Sequence, residues 1–353
     1  MSSSISSRSP LTATELAGGN RRHLWTALIG IVVSVGLLAW AMRNVNFAEM
    51  IAEIRTAKPF PVLLGVFLAT GSFVLRAVRW KLLLRADTGT DVPFWPRWHA
   101  VAMGFMANNV LPLRAGELVR AYAISTLGQV RLTGAITSLV VERVFDALTL
   151  VLLLSVGLLL SDLPASTVIA GIPLARIATF AGVGALIAVV VGALLIARPE
   201  VMERIIRGVL PEGGLQARLV SIGHGITDGL VGLRSPARLG GVIFWSLAMW
   251  LVSAASFYVM FAAFDIKMSF GGALLLQSAM AFGIAVPSTP GFFGPFEAAL
   301  VAVLSLFGVS DTTAFSYAVT YHLTTLIPVT LLGLVSLAVS PIAFRDIRAQ
   351  TAR

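Results

Sequence analysis

Long apolar runs follow one another along the chain, with few charges inside them. Six of these runs have about the 20 residues that a helix needs to cross the hydrocarbon core of a bilayer. Continuous apolar sequence, rather than two-residue alternation, favours helices over a β-barrel. The predicted spans are 24–42, 60–84, 132–160, 176–197, 238–264 and 311–340.

Two further apolar segments, 94–127 and 268–307, are interrupted by proline and glycine. The first breaks between Asn108 and Glu117, and the second between Val286 and Pro295. Proline removes a helical donor and glycine loosens the backbone, so each segment predicts two short helices around a loop. Irregular backbone at membrane depth is tolerated only inside protein or beside a watery cavity. We therefore predict two re-entrant, broken-helix hairpins; two full crossings, giving eight spans, are the alternative.

An internal repeat relates the two halves of the sequence. A shift of 175 positions places Pro112 on Pro287 and Gly116 on Gly291, and carries the second and third spans onto the fifth and sixth. Three crossings separate each pair, so the halves should have opposite orientation. The prediction is an all-α polytopic membrane protein with an inverted repeat, a pattern that marks the binding site of many transporters. The expected division is a tail (1–23), a transmembrane domain (24–340, with repeats of about 24–160 and 176–340) and a C-terminal tail (341–353).

Composition and charge agree with this interpretation. The chain is 57% hydrophobic and 12% charged, whereas soluble domains carry about 25% charged residues. Of its 26 Lys and Arg residues, 17 fall in segments predicted to be cytoplasmic and 5 in outer loops. This bias predicts a multi-pass protein of the bacterial inner (cytoplasmic) membrane with both termini in the cytoplasm. The formal net charge of +9 is thus assigned to membrane orientation rather than to nucleic-acid binding.

Chemistry based on cysteine is excluded, because the sequence contains no cysteine. Disulfides, thiolate metal sites and cysteine nucleophiles cannot form without it. The four histidines are scattered and show no metal-binding spacing. We expect no metal, no cofactor and no enzymatic activity. The histidines are His23, His99, His224 and His322.

Charged residues inside the predicted spans are the first candidates for substrate binding. Glu142, Arg143 and Asp146 lie in the third span, where charges usually line a cavity or pair with one another. Arg143 and Asp146 are three residues apart and can pair on one helix face, so a structural ion pair is the alternative. Arg76 and Arg79 share a face near the end of the second span. They predict a phosphate clamp or arginines that extend to the headgroups.

The first broken segment gathers polar and charged residues around its proline: Asn108, Asn109, Arg114, Glu117 and Arg120. Loop amides and an arginine beside a helix N-terminus suit an anionic headgroup. Capping of the following helix is the alternative role of Glu117.

The second broken segment and the sixth span offer a further set of candidate substrate-binding residues. Ser288 and Thr289 lie in the break, and Glu297 follows a proline at a helix start, where capping is the favoured role. Tyr321 and His322 lie inside the sixth span. His322 could carry a proton or donate to a headgroup, although a satisfied buried histidine is more common.

Four blocks of these residues carry a family resemblance. They are RAVRW from Arg76, NVLPLRAGE ending at Glu117, ERVFD from Glu142 and PSTPGFFGPFE ending at Glu297. In this order they resemble the lysylphosphatidylglycerol synthase transmembrane-region family, which is described as flippase-like, over about residues 24–340. The resemblance implies handling of phospholipids or lipid-linked headgroups. The full synthase has a soluble aminoacyl-transferase domain after its membrane part, and this sequence ends at Arg353, so lysyl transfer is not expected.

The expected function is that of an integral membrane lipid transporter, or flippase. An anionic or zwitterionic headgroup would enter between Arg76, Arg79, Arg114 and Arg143, while the acyl tails stay in the bilayer. Membrane lipids are the expected partners, and a separate lipid synthase is a second candidate partner. Two alternatives remain: a membrane-embedded transferase, and an accessory subunit of a cell-envelope or hopanoid lipid pathway.

Overall fold

The protein is built almost entirely from helices. A computed structural model describes residues 13–84, 89–111, 115–164 and 235–342 and scattered positions between 167 and 220, with the side chains of the first helix described from Leu28 onwards. The described helices are α1 (Ala13–Met42), α2 (Phe47–Thr56), α3 (Pro59–Trp80), α4 (Phe94–Val110), α5 (Gly116–Gly128), α6 (Leu132–Leu160), α7 (Pro236–Phe261), α8 (Phe270–Gly283), α9 (Pro295–Leu306) and α10 (Asp311–Val339). A 3-10 turn (Pro290–Phe292) precedes α9, and two short strands, β1 (Val168–Ile169) and β2 (Ile172–Pro173), pair antiparallel.

Four helices, α3, α6, α7 and α10, are long and apolar enough to cross a membrane. A fifth candidate is the pair Leu28–Met42 and Phe47–Thr56, which is bent by 84°. These helices confirm the prediction of an all-α polytopic membrane protein and lie where the first, second, third, fifth and sixth spans were predicted. The fourth predicted span, 176–197, lies mostly outside the described residues; the described positions between 176 and 187 are helical.

Two of the long helices, α3 and α7, cross the bundle in opposite directions. Gly65, near the start of α3, lies against Ser256, near the end of α7. Arg79, near the end of α3, donates to Ser246 in the first half of α7, so the two helices are antiparallel. We call the end of the bundle that holds the last turn of α3 and the start of α7 the first end, and the opposite one the second end.

The two broken segments form hairpins that open at opposite ends of the bundle. In the first, Val92, just before α4, lies against Gly128 at the end of α5. In the second, Gly272 in α8 lies against Phe307, just after α9. Each hairpin therefore returns to the end where it began, as re-entrant segments do. The first follows the end of α3 and the second follows the end of α7, so they enter the bundle from opposite ends.

Close backbone approach holds the first hairpin together. A Cβ atom on Gly116 would lie 2.1 Å from the carbonyl oxygen of Gly104, so the start of α5 can meet α4 only as glycine. The Asn108 side-chain oxygen accepts a hydrogen bond from the Gly116 N–H at 2.9 Å. Asn108, predicted to bind a headgroup, is thus occupied in closing the hairpin. Pro112, Leu113 and Arg114 lie outside the described residues.

The repeat is present, but the predicted shift of 175 positions is wrong for most of it. The starts of α5 and α9 are 179 positions apart, as are those of α6 and α10, and the starts of α4 and α8 are 176 apart. Gly116 therefore aligns with Pro295 and not with Gly291. The second hairpin is longer because the 3-10 turn Pro290–Phe292 lies at its tip. Both halves keep the order span, hairpin, span.

Candidate functional site

A cluster of charged side chains lies between α3, α5 and α6, toward the first end. Glu142 is 0% exposed, Asp146 is 3% exposed and Arg79 is 0% exposed. Charges that are buried at this depth are stable only when they are paired. The six members, which we call the charge cluster, are Arg76, Arg79, Arg120, Glu142, Arg143 and Asp146.

Glu142 is the centre of the charge cluster and meets all four arginines. Arg120 binds it with both terminal nitrogens, at 2.7 Å and 2.8 Å. Arg143 donates to Oε1 at 2.7 Å and Arg76 at 3.1 Å. The Nη2 atom of Arg79 lies 3.3 Å from the same oxygen. One carboxylate thus joins three helices of the first half.

Asp146, one turn further along α6, meets three of the same arginines. Arg79 donates to Oδ1 at 2.5 Å, and Arg76 to Oδ2 at 3.2 Å. Arg143 lies 3.2 Å from Oδ2, as its spacing predicted. The indole N–H of Trp250 on α7 also donates to Oδ1, at 3.2 Å. The Arg143–Asp146 pair is therefore real but is not isolated.

Aromatic rings cover two of the arginines. The Arg120 guanidinium lies 3.9 Å from the centroid of the Trp80 ring. The Arg76 guanidinium lies 5.1 Å from the Phe105 centroid and 5.8 Å from that of Trp250. A desolvated cation–π contact contributes about 2 kcal/mol. These rings hold the cations in place where water cannot solvate them.

Positive charge exceeds negative charge in the cluster. Four arginines face two buried carboxylates, and the exposed Glu117 adds a third carboxylate at 3.5 Å from Arg143. Within the described part of the chain, Nε of Arg79 and Nε of Arg120 have no hydrogen-bond acceptor. Nη2 of Arg79 lies 3.3 Å from Glu142 but forms no hydrogen bond. An uncompensated buried charge costs several kcal/mol. The cluster is therefore suited to receive an anion.

Arg76 connects the charge cluster to a cavity between the two halves. The cavity has a volume of about 190 Å³. It can hold a small anionic group but not a whole phospholipid. Its lining includes Arg76, Phe105, Asn109, Phe292, Phe296 and His322. Asn109 also donates to the Thr330 hydroxyl at 2.9 Å and so links α4 to α10.

Glu297 and His322 meet at the opposite side of this cavity. The backbone N–H of Gly294 donates to Glu297 Oε2 at 2.7 Å, which is the helix-capping role that the sequence favoured. The other oxygen, Oε1, lies 2.5 Å from His322 Nδ1. The second ring nitrogen, Nε2, lies 2.8 Å from the carbonyl oxygen of Gly291. His322 thus joins α10 to the tip of the second hairpin.

Two of the three remaining candidates of the second half, Thr289 and Tyr321, link different helices or loops. The Thr289 N–H donates to the Ser34 hydroxyl of α1 at 2.9 Å. The Tyr321 hydroxyl forms a 2.5 Å hydrogen bond with Ser256 on α7. The hydroxyl of Ser288 is buried and has no partner among the described residues.

Sequence reasoning placed Arg120 beside the first break but missed its contacts with Glu142 and Trp80. Both partners lie in other helices, and Glu142 is 22 positions from Arg120, so no local spacing shows the contact. The available signal is the charge of Arg120 itself, since a basic residue in an apolar hairpin needs a partner. The same signal selects Arg114, which lies outside the described residues.

Comparison with known proteins decides the family. The sequence profile of the lysylphosphatidylglycerol synthase transmembrane region matches residues 27–333. The chain belongs to this family. The match includes the charge cluster, both hairpins and the His322–Glu297 pair, so the resemblance carried by the four sequence blocks is confirmed.

Two relatives are similar to this chain over most of its length. A UPF0104 membrane protein from Methanothermobacter thermautotrophicus is 24% identical over 323 residues, 86% of this chain and 90% of the relative. The glycosyltransferase AglD from Haloferax volcanii is 26% identical over 327 residues, 84% of this chain and 51% of AglD. The chain thus spans about half the length of AglD. Both relatives are archaeal.

Proposed function

We propose that this protein moves a phospholipid, or another lipid with a phosphate-containing headgroup, across the membrane. The observation that carries the proposal is the excess of buried arginine in the charge cluster, which Arg76 extends into the cavity between the two halves. Guanidinium groups bind phosphate oxygens through two parallel hydrogen bonds. A phosphate would supply the negative charge that the described part of the cluster lacks.

The size of the cavity favours a headgroup as the ligand. A volume of about 190 Å³ takes the phosphate region of a lipid, while the acyl chains remain in the bilayer, where they need no protein pocket. Phe105, Phe292 and Phe296 line the cavity beside Arg76. Apolar walls with one projecting cation strengthen the attraction for an anion, because they lower the local dielectric constant.

The hairpins provide the element that a transport cycle requires. One hairpin opens at the first end and the other at the second end. Residues of both hairpins line the same cavity. Movement of one hairpin at a time would expose the headgroup to each side in turn, as in transporters built from inverted repeats. As part of the proposal, the first end faces the cytoplasm and the membrane is the bacterial inner membrane.

Lipid movement in proteoliposomes tests this function. The purified protein is reconstituted into vesicles that contain a fluorescent phospholipid, and a membrane-impermeant reductant destroys the fluorescence of the outer leaflet. Transport gives a loss of signal beyond the outer-leaflet share, in proportion to the amount of protein. The assay is repeated with a pH gradient imposed in each direction. Protection of the inner leaflet equal to that in protein-free vesicles under both conditions would contradict the proposal.

A transferase role, or an accessory role beside a transferase, is the second candidate. The similarity to AglD, which is named a glycosyltransferase, favours this role. The similarity covers about half of the length of AglD. In this role the same cavity would hold the headgroup of a lipid-linked substrate for a catalytic partner. Mass spectrometry of lipids from cells with and without the protein separates the two roles. A transferase changes the covalent structure of a lipid, whereas a transporter changes only its distribution between leaflets.

A further inference from the structure

His322 is held between two hydrogen-bond acceptors. Its Nδ1 atom lies 2.5 Å from the Glu297 carboxylate, and its Nε2 atom lies 2.8 Å from the Gly291 carbonyl oxygen. A neutral imidazole carries one N–H and one lone pair, so it can satisfy one of these acceptors and repels the other. Both contacts are favourable only when the pair holds one more proton, on the second ring nitrogen or on the carboxyl oxygen.

The surroundings fix the ring in this position. Phe296 stacks on the imidazole with 4.1 Å between ring centroids, and Phe293 lies at 4.8 Å. His322 is 4% exposed and Glu297 is 2% exposed. The ring is ~16 Å along α10 from its start at the second end, so the pair lies deep in the bundle. A ring that cannot turn away must respond to the loss of its proton by breaking a contact.

We propose that His322 and Glu297 form a proton-binding site that locks the tip of the second hairpin onto α10. When the imidazolium releases its proton to water, the single remaining N–H stays with Glu297, because a charge-assisted hydrogen bond is the stronger of the two. The lone pair of Nε2 then faces the Gly291 carbonyl oxygen. That contact opens, and the 3-10 turn Pro290–Phe292 separates from α10.

Release of the tip opens the cavity. Phe292, the last residue of the 3-10 turn, is part of the cavity lining. Gly291 has a φ of +73° and packs against Phe293 and Leu326, so the tip keeps one defined shape when locked. The protonated pair therefore closes the cavity on the side of the second hairpin, and the deprotonated pair opens it.

The described side chains around the His322–Glu297 pair are mostly neutral. We therefore assign the pH response of the tip to this pair. Arg76 on α3 and Tyr321 on α10 are the charged or titratable side chains that line the same cavity. The neutral side chains on the other packed elements include Ser34 (α1), Asn109 (α4), Ser253 (α7) and Met280 (α8). A transport role for the switch rests on the proposed function: a headgroup anion beside Arg76 would favour the protonated pair, so lipid and proton would bind cooperatively.

Two substitutions distinguish the effect of the proton from the effect of the hydrogen bonds that hold the tip. In Glu297→Gln, the amide N–H can donate to Nδ1 and the amide oxygen can still accept from the Gly294 N–H. Neutral His322 then donates from Nε2 to Gly291, so this variant reproduces the locked state without the extra proton. In His322→Phe, both contacts are lost and the tip is free at every pH.

Thiol labelling measures the state of the tip without any assay of lipid movement. The sequence has no cysteine, so a Ser253→Cys change places one reporter in the cavity, and Ala48→Cys on the exposed face of α2 corrects for the pH dependence of thiol reactivity. The ratio of the two labelling rates should rise by about tenfold as the pair loses its proton, the size expected for one lost charge-assisted hydrogen bond. It should stay low in Glu297→Gln and high in His322→Phe.

Two outcomes would overturn the proposal. One is a labelling ratio that does not change between pH 5 and pH 9 in the otherwise unchanged protein. The other is a Glu297→Gln variant that follows the same pH response as the parent. ¹⁵N NMR of the histidine rings gives a second reading, in which His322 must show two protonated nitrogens or a proton shared with Glu297 in the locked state. A protein that moves no lipid but passes these tests would contradict the transport function alone.

Discussion

Arg143 and His322 occupy the same position in the two halves of the protein. Each is the twelfth residue of a 29-residue helix, α6 or α10. The residues before them, Glu142 and Tyr321, also correspond. Glu142 gathers four arginines, whereas Tyr321 forms a neutral hydrogen bond with Ser256. One helix position thus carries a fixed charge in the first half and a titratable ring in the second, so the two halves are equipped for different tasks.

The first prediction ranks two arginines of the charge cluster. The Arg120 side chain is 4% exposed and binds Glu142 with two hydrogen bonds, while the Arg143 side chain is 44% exposed. Each buried hydrogen bond to a charged group contributes about 1.5–3 kcal/mol, whereas a solvent-screened ion pair contributes about 0–1 kcal/mol. Arg120→Gln should therefore lower the thermal unfolding midpoint much more than Arg143→Gln, as followed by tryptophan fluorescence in detergent.

A double variant tests the pair that the sequence predicted, Arg143 and Asp146. If Arg143 and Asp146 formed an isolated pair, the double change Arg143→Met and Asp146→Leu would restore the stability lost by either single change. Arg79 lies 2.5 Å from Asp146, so the double variant leaves a buried guanidinium without its nearest carboxylate. It should unfold at a lower temperature than Arg143→Met alone, and recovery of the parent midpoint would contradict the described network.

The second prediction concerns the first hairpin. Alanine at Gly116 would place a Cβ atom 2.1 Å from the Gly104 carbonyl oxygen, so α4 and α5 must separate. Overpacking of this kind costs about 1–3 kcal/mol. Gly36→Ala in α1 is the matched control, because a Cβ atom there meets nothing within 4 Å. The first variant should lose thermal stability and the second should keep or gain it. Equal midpoints would mean that the hairpin is not packed as described.

The third prediction concerns orientation, which rests on the bias of Lys and Arg residues. Single cysteines in this cysteine-free chain should react with a membrane-impermeant maleimide in intact cells when placed at Ala48, at the second end. Thr133→Cys, at the first end, should react only after permeabilisation. The reverse pattern would place the first end outside and would reverse the direction assigned to both hairpins.

Much of the fold follows from local sequence. Hydropathy alone places α3, α6, α7 and α10, because a membrane-crossing helix must be apolar along its whole length. The proline and glycine residues near 112 and 290 place the two hairpins for an equally local reason. The repeat is predicted with a shift that is four positions too short from α9 onward. The 3-10 turn Pro290–Phe292 lengthens one hairpin, and hydropathy does not indicate this turn.

The candidate site was predictable only in part. The sequence identifies Arg76, Glu142 and Asp146 as candidates, because a charge in an apolar run needs a charged partner or a polar cavity. Asn108 was assigned to a headgroup on its chemistry, but its side chain closes the hairpin against Gly116. Which partner a polar group meets depends on how the helices pack, and a single sequence does not contain that distance information.

The last prediction tests whether the charge cluster binds the headgroup. Arg76 is the arginine that belongs both to the cluster and to the cavity lining. Arg76→Gln should reduce phospholipid movement in proteoliposomes by about tenfold or more, because one charge-assisted contact to phosphate is lost. Arg76→Lys should restore only part of the rate, since an ammonium lacks the paired donors of guanidinium.

The matched control is Arg43→Gln, the same change at an exposed arginine that stacks on Trp40 at the second end. Both variants are compared with the parent at equal protein density and after their folding has been verified by thermal unfolding. We predict that phospholipid movement falls in Arg76→Gln and stays at the parent rate in Arg43→Gln. Parent-rate movement in a folded Arg76→Gln variant would contradict the assignment of the charge cluster as the headgroup site.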